Sequence, residues 1–569
     1  MPHPLSDKIW NAKYRWREGE AAMDHSIEDT WRRISKALAS LEKESRWESE
    51  FYSILEDFSF LPGGRIQAGA GTGHKSTLFN CFVMGKIEDS LSGIFDSLKE
   101  GAITMQQGGG VGYDFSTLRP YGTPAKQVGM IASGPVSFMK IWDSMCATIL
   151  STGARRGAMM ATLRCDHPDI LDFVEAKREG NALHHFNLSV LATDAFLDAV
   201  RMDAQWPLVF EGKVFNTLGA KELWERIMRS AYDCAEPGII FIDRVRRADN
   251  LAYCETISAT NPCGEIPLPP YGACDLGSIN LTRFVDHPFT GKASIDFEKI
   301  GRVAHIAARM LDNVYDISHF PLEKQKKVAQ SSRRIGLGIT GLADTLIMLN
   351  LPYGSKEGRD TAERIMKTVK EAAYRSSVET AQEKGPFPLY ERAYLENEFV
   401  RNLPADLIHG IEKFGIRNSH LIAIAPTGTI SLLAGNISSA LEPVYAFEYA
   451  RNLRRADGSI ESVNVSDPAY LLFRKTMGEA QLPSSFLTAI DILPDEQLLM
   501  QAALQKHVDN AISKTVNVPE CLDFDAFASL YERAFELGLK GCTAFRPNPV
   551  TGQVLFEKPH CCSSEREPD

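Results

Sequence analysis

From Leu61 to Phe545 helical patterns alternate with short apolar runs, and this alternation constrains the fold more than any other feature of the chain. The runs include Phe79–Met84, Pro207-Leu-Val-Phe-Glu, Gly238-Ile-Ile-Phe-Ile and Leu421–Ala425. Such a pattern argues an α/β architecture. No internal repeat and no long Pro/Ser linker interrupts it. Residues 1–60 read as a charged, helical N-terminal segment, because Asp29-Thr-Trp-Arg-Arg-Ile-Ser-Lys-Ala-Leu-Ala-Ser-Leu carries apolar residues at helical spacing. Leu61-Pro-Gly-Gly then punctuates the chain. Residues 61–545 form the expected body. Residues 546–569, rich in Pro, Gly, Ser and charge, are expected to fray.

Composition narrows the function. With 44% hydrophobic and 24% charged residues this is an ordinary globular chain, not a disordered or collagen-like one. The formal charge of −11 speaks against a nucleic-acid partner, so any phosphate-bearing ligand must be held by a local device. Eleven cysteines in 569 residues do not make a secreted disulfide scaffold. The opening residues lack an apolar signal core. The uncharged stretch Leu421–Leu441 is broken by Pro426, Gly428 and Gly435, so it is a poor membrane span. The expectation is a cytoplasmic protein without a membrane partner, its thiols reduced at rest.

The most unusual segment is Asn261-Pro-Cys263-Gly-Glu265. In an extended segment, residues i, i+2 and i+4 project to one side, so an amide, a thiol and a carboxyl could meet one small molecule. Pro262 and Gly264 suit a tight loop tip. The thiol offers a nucleophile or a hydrogen atom, the carboxylate accepts a proton, and the amide does both kinds of hydrogen bonding. The plain alternative is a loop with one buried cysteine acting as a small hydrophobe. A second candidate is Pro426-Thr427-Gly428-Thr429-Ile430-Ser431, after an apolar run. Gly428 allows close backbone approach, and hydroxyls and N–H groups at a helix start donate to phosphate oxygens. A Thr/Ser helix cap is the plain alternative there. The segment is not a Walker loop, since Gly-x-x-x-x-Gly-Lys is missing, and Gly108-Gly-Gly-Val-Gly-Tyr is not a dinucleotide fingerprint.

The Asn261–Glu265 segment resembles the finger loop of ribonucleotide reductases, and the resemblance extends from about Ser6 to Leu555. Phe79-Asn80-Cys81-Phe-Val resembles the strand of the first redox cysteine. Further similar blocks are Ile87-Glu-Asp89-Ser90-Leu91, Gln107-Gly-Gly-Gly-Val-Gly-Tyr, Arg333-Arg-Ile-Gly-Leu-Gly-Ile-Thr-Gly-Leu-Ala-Asp344 and Ala425-Pro-Thr-Gly-Thr-Ile-Ser431. The resemblance implies a ten-stranded α/β barrel of two parallel five-stranded halves around a central finger loop. It also implies reduction of ribonucleotides to deoxyribonucleotides, with diphosphates as the expected substrates. Cys263 would be the thiyl radical that takes the 3′ hydrogen. Glu265 would be the base on the 3′-hydroxyl, and Asn261 would bond the ribose hydroxyls. Cys81 and Cys274 would be the pair that closes to a disulfide, which requires Cα atoms roughly 4.4–6.8 Å apart. Asn80 and Pro426–Ser431 would hold substrate.

Of the family's three radical sources, the resemblance favours adenosylcobalamin. No Tyr-Tyr pair occurs anywhere and no glycyl-radical segment lies in the tail, while Ser6-Asp-Lys-Ile-Trp-Asn-Ala-Lys-Tyr and the glycine block resemble the cobalamin class. Gly109 and Gly110 would meet the cofactor. The cofactor carries the hard chemistry and the protein supplies placement. No Asp-x-His-x-x-Gly motif is present, and no separate protein metal site is expected. A deoxynucleotide or ATP effector at a homodimer interface would meet Asp89, Ser90 and, less centrally, Arg119, with Lys177 and Arg178 opening a loop between effector and substrate. About 60 residues precede the body, so specificity control without overall dATP inhibition is expected. A thioredoxin- or glutaredoxin-type reductant would reopen the disulfide through Cys561 and Cys562. These two are adjacent, which leaves a shuttle, an idle tail and metal binding beside His560 open. Three other functions stand beside this one: a large subunit fed by a separate radical subunit, a silent nucleotide-binding relative, and a thiol hydrolase, for which no His partner of Cys263 is legible.

Overall fold

The computed structural model describes residues 4–124, 132–149, 157–178, 182–454 and 460–547. Contacts divide the chain into two units that interleave in sequence. Among the described residues, one gathers those up to Asn80 with Ala273–Lys514; the other gathers Cys81–Gly272 with those from Thr515 onward.

In the second unit five strands run parallel side by side, in the order Cys81–Val83, Gly110–Asp114, Met159–Arg164, Phe186–Ala192 and Gly238–Phe241. Gly541–Phe545 adds antiparallel to the last, and Thr515–Asn517 lies parallel beside it. Long crossovers are what parallel pairing demands. Helices Leu91–Gln106, Gly134–Thr148, Ile170–Glu175 and Ala220–Cys234 lie on them. The Pro207 run is indeed a strand, Gln205–Phe210, but it pairs with Lys213–Gly219 in a separate hairpin that leaves Val214 and Phe215 exposed.

In the first unit Ala273–Asn280 pairs parallel with Ile335–Thr340 and antiparallel with Phe60–Pro62. Parallel bridges Leu337–Ile422 and Ile424–Ile512 continue the series. Both long strands are buried at every residue, as strands covered on both faces are. Helices Phe297–Ile317 and Lys356–Lys384 pack together, and the N-terminal helices Ile27–Ala39 and Arg46–Leu55 lie on the former. The expected α/β class and the helical N-terminal segment are both present. No described helix is long and apolar enough to cross a membrane.

Candidate active site

The finger loop is a hairpin. Ala259–Thr260 pairs with Pro267–Leu268, and Asn261 N–H donates to the Ile266 carbonyl at 3.3 Å. The tip is closed by Gly264 N–H to the Asn261 carbonyl at 3.1 Å, with Gly264 at φ +85°, a conformation that favours glycine. Asn187 donates to the Pro262 carbonyl at 2.8 Å and ties the tip to the sheet. Gly112 lets the hairpin approach, because a Cβ there would sit 1.9 Å from the Thr260 carbonyl oxygen.

Asn261–Glu265 is therefore not extended, and the two-residue periodicity does not operate. Asn261 and Glu265 converge because they stand on opposite limbs of a turn. Asn261 Oδ1 accepts from Ile266 N–H (3.0 Å) and Thr260 Oγ1 (3.1 Å), which fixes the amide so that its Nδ2 donates to Cys81 Sγ at 3.1 Å. Cys81 Sγ in turn lies 3.8 Å from Glu265 Oε1. Glu265 is 1% exposed, and its Oε2 meets no donor among the described residues. Burial pushes its carboxyl up to about 7, offset in part by Asn261 and Cys81. Cys263 is half-buried at the tip.

Cys274 is buried on Ala273–Asn280, its thiol donating to the Asp275 carbonyl at 3.3 Å. Asn80 presents Oδ1 beside Gly63 with no donor among the described residues. The Pro426–Ser431 segment turns into the short helix Gly428–Leu433. Ser431 N–H makes the first intrahelical bond, to the Thr427 carbonyl at 2.8 Å, so the amides of Gly428, Thr429 and Ile430 precede it. Thr427 adopts φ +59°, costly for a β-branched residue. Its Oγ1 contacts Thr340 Oγ1 at 2.9 Å and accepts from Ala440 N–H at 2.8 Å.

The effector candidates divide. Asp89, Ser90 and Arg119 come together: Arg119 Nε bonds Asp89 Oδ2 at 2.6 Å, and Ser90 caps helix Leu91–Gln106. Lys177 is buried in an ion pair with Glu236 at 2.7 Å and donates to the Phe186 carbonyl, while Arg178 pairs with Asp233 at 2.8 Å. Gly109 is close-packed: a Cβ would lie 2.6 Å from the Phe82 ring. Its missing side chain serves that contact rather than an open cradle. Gly110 is buried at the start of its strand. Cys561 and Cys562 lie outside the described residues. Among the described residues no group of three or more His, Cys, Asp or Glu could hold a metal ion.

A thiol, an amide and a near-neutral carboxyl, buried together on a parallel α/β sheet, are the equipment of an enzyme that works through sulfur. The chain belongs to the ribonucleotide reductase family: the family's barrel domain matches residues 79–545 and its all-alpha domain residues 2–75. It is 38% identical to the vitamin B12-dependent ribonucleoside-diphosphate reductase of Mycobacterium tuberculosis, over 90% of this chain and 73% of that protein. It is 36% identical to the like-named protein of Thermoplasma acidophilum, over 89% of this chain and 66% of that one. A ribonucleoside-diphosphate reductase subunit alpha of Chlamydia pneumoniae is 26% identical, over 92% and 57%.

Proposed function

We propose that this chain is an adenosylcobalamin-dependent reductase of ribonucleoside diphosphates, supplying deoxyribonucleotides for DNA. One observation carries the reading. Glu265 is buried on the finger loop beside Cys81 and Asn261, has an oxygen without a described donor, and titrates near neutrality. Such a carboxyl can take a proton and return it at physiological pH. The two relatives of 36–38% identity bear the cofactor in their names and support its assignment.

When bound, adenosylcobalamin supplies homolysis of a cobalt–carbon bond, and so the one-electron oxidation of a thiol. The hairpin tip fits a group brought up against sulfur: Cys263 is half-buried, and a Cβ on neighbouring Gly264 would meet nothing within 4 Å. Gly109, where a Cβ would meet the Phe82 ring, could offer the group only its backbone.

Cys263, as a thiyl radical, abstracts the 3′ hydrogen atom. Glu265 takes the 3′-hydroxyl proton, and Asn261, its amide fixed by Ile266 and Thr260, orients the ribose hydroxyls. The C2′–O bond breaks and the oxygen leaves as water. A C2′–H bond then forms as Cys81 and Cys274 give up two electrons and two protons and become a disulfide. Val83 N–H donates to the Gly272 carbonyl at 3.0 Å, which brings the chain just after Cys81 alongside the chain just before Cys274. Glu265 returns the proton to the 3′-oxygen, and Cys263 returns the hydrogen atom to C3′ and ends again as the thiyl radical with which the cycle began. The amides of Gly428, Thr429 and Ile430, with Asn80, hold the substrate without a lysine.

A deoxynucleotide or ATP effector at Asp89, Ser90 and Arg119, a homodimer and a dithiol protein reductant complete the assembly. The test is formation of deoxyribonucleoside diphosphate from ribonucleoside diphosphate with dithiol, with and without adenosylcobalamin. Product requires the cofactor and vanishes in Cys263→Ser. Turnover without the cofactor, or persisting in Cys263→Ser, overturns the reading. Activation only by an added radical-generating subunit overturns the reading in favour of a large subunit fed by a separate one.

A further inference from the structure

The block Thr340-Gly-Leu-Ala-Asp344 has no part in the chemistry above, yet it ends in a carboxyl with no exposure. Asp344 Oδ2 accepts from Ser438 N–H at 2.8 Å, and Asp344 N–H donates to Ser438 Oγ at 3.2 Å. Oδ1 meets no N–H or hydroxyl donor among the described residues. The carboxyl that Asp344 does meet is that of Asp467, which caps helix Pro468–Met477 by accepting from Tyr470 N–H at 2.8 Å and is itself 3% exposed. Two ionised carboxylates are acceptors only and cannot bond each other; one proton between them turns the contact into a hydrogen bond. Burial raises both groups; the charge of Asp467 raises Asp344 further, well above the usual carboxylate range, while the contact with Asp344 holds Asp467 back.

From Ser438 the connections run to the substrate loop. The Ser438 carbonyl accepts from Gly341 N–H at 2.8 Å and from Thr340 Oγ1 at 3.1 Å. Ala440 N–H reaches Thr340 Oγ1 at 3.2 Å and Thr427 Oγ1 at 2.8 Å. Thr427 is the residue whose left-handed backbone needs outside support, since such strain persists only where the surroundings over-determine it.

We infer that Asp344 and Asp467 form a proton-sharing clamp that positions the 438–440 segment, and through it Thr427 and the substrate loop, for ribonucleotide binding. Asp344 and Asp467 are positioning residues, since each acts through Ser438 and Thr340. Among the described residues, the other charged groups of the elements packed here have partners elsewhere or face solvent, Glu448 among the latter. Arg283 pairs with Asp57, Glu442 with Lys514, Arg474 donates to the Gly478 and Ala480 carbonyls, Lys475 is exposed, and Tyr470 stacks on Phe447. As pH rises and the shared proton leaves, the two carboxylates repel and the loop loosens, so substrate affinity falls.

This inference rests on the reading of Pro426–Ser431 as the substrate loop. The full chain with adenosylcobalamin and dithiol is assayed across neutral to alkaline pH, with thermal unfolding as a folding check. Asp344→Ala raises KM about tenfold or more while kcat moves less than about threefold. Asp467→Asn keeps the cap and donates an amide N–H to the Asp344 carboxylate without needing a proton. It holds KM within about twofold of the parent at neutral pH and abolishes the parent's alkaline rise in KM. An unchanged KM in folded Asp344→Ala, a parent KM that stays flat into alkali, or an alkaline rise that survives in Asp467→Asn overturns the clamp. Should the parent show no turnover, the functional reading fails. The clamp is then judged by calorimetric binding of ribonucleoside diphosphate to the same three proteins, with dissociation constants expected to follow the same pattern.

Discussion

Glu265 and Glu42 are both sheltered glutamates, Glu265 a wholly buried residue and Glu42 a half-buried one whose side chain is 1% exposed, yet their carboxyls titrate at opposite ends of the scale. Burial raises both. At Glu265 little opposes it: the Asn261 amide, a thiol 3.8 Å from one oxygen, no donor among the described residues on the other, and a value of about 7. Glu42 stands between the two N-terminal helices and accepts from Arg309 Nε and Nη2 (2.9 and 2.6 Å), Lys384 (2.8 Å) and Asn313 (2.7 Å). These donors overcome the burial and hold it at about 2. Arg309 also stacks 4.1 Å over the Trp47 ring and bonds Glu383. A buried acid supplied with cations is a fastener, whereas one left short of donors stores unspent bonding capacity for a substrate. The donors, more than the depth, make the difference.

The contrast breaks first at Glu265→Gln, where the largest effect is expected. Turnover of ribonucleotide falls by about 10²–10⁴, the range of a lost general base. The rate of the parent rises as pH passes up through about 7 while Glu265 becomes a base, and that limb is absent from the variant. Stability moves the other way. The folded carboxyl titrates above its unfolded value, so the parent loses stability as pH climbs from about 4.5 to about 7. Above that window Glu265→Gln unfolds up to about 3 kcal/mol harder than the parent, measured by denaturant titration at pH ~8. A variant that is both inactive and less stable would make Glu265 a second fastener.

Glu42→Gln is expected to invert both readouts. Removing one partner from a buried charge network costs about 3–5 kcal/mol. Turnover per folded molecule stays at the parent level, since Glu42 lies in the turn between the N-terminal helices and bonds none of the site residues. Its folded carboxyl is held below the unfolded one, so its contribution is complete above pH ~4.5 and is lost as pH falls toward about 2. The parent's extra stability over the variant shrinks through that window, and a difference that survives to pH ~2 breaks the assignment.

The two glutamates were not equally legible. Glu265 declared itself because amide, thiol and carboxyl stand within five residues around Pro262 and Gly264, and a hairpin tip is a local structure. The route by which they converge was not legible: the turn, not strand alternation, brings Asn261 and Glu265 to Cys81, which is remote in sequence. Glu42 gave no signal, since its partners lie at 309, 313 and 384 and only helix packing unites them. Gly109 shows what a glycine conceals. The residue reveals that a side chain is excluded but not what excludes it, and here the excluder is Phe82. The Pro207 run was likewise legible as a strand, but not as one half of a separate hairpin.

Arg178 extends the comparison to the surface and carries the smallest expected effect. Its bond to Asp233 is 2.8 Å long, close to those within the Glu42 network, but its side chains are 42% and 36% exposed. Water and salt screen such a pair, so Arg178→Gln shifts unfolding by no more than ~0.5 kcal/mol. Raising the salt concentration erases even that shift, whereas the loss in Glu42→Gln persists because its partners are sheltered from mobile ions. Lys177, one residue earlier, has a buried pair of almost the same length, and so belongs with Glu42 rather than with its neighbour. A cost above ~2 kcal/mol for Arg178→Gln would mean that the bond is not the exposed pair it is drawn as, because at equal distance only shelter from solvent separates a fastener from an ornament.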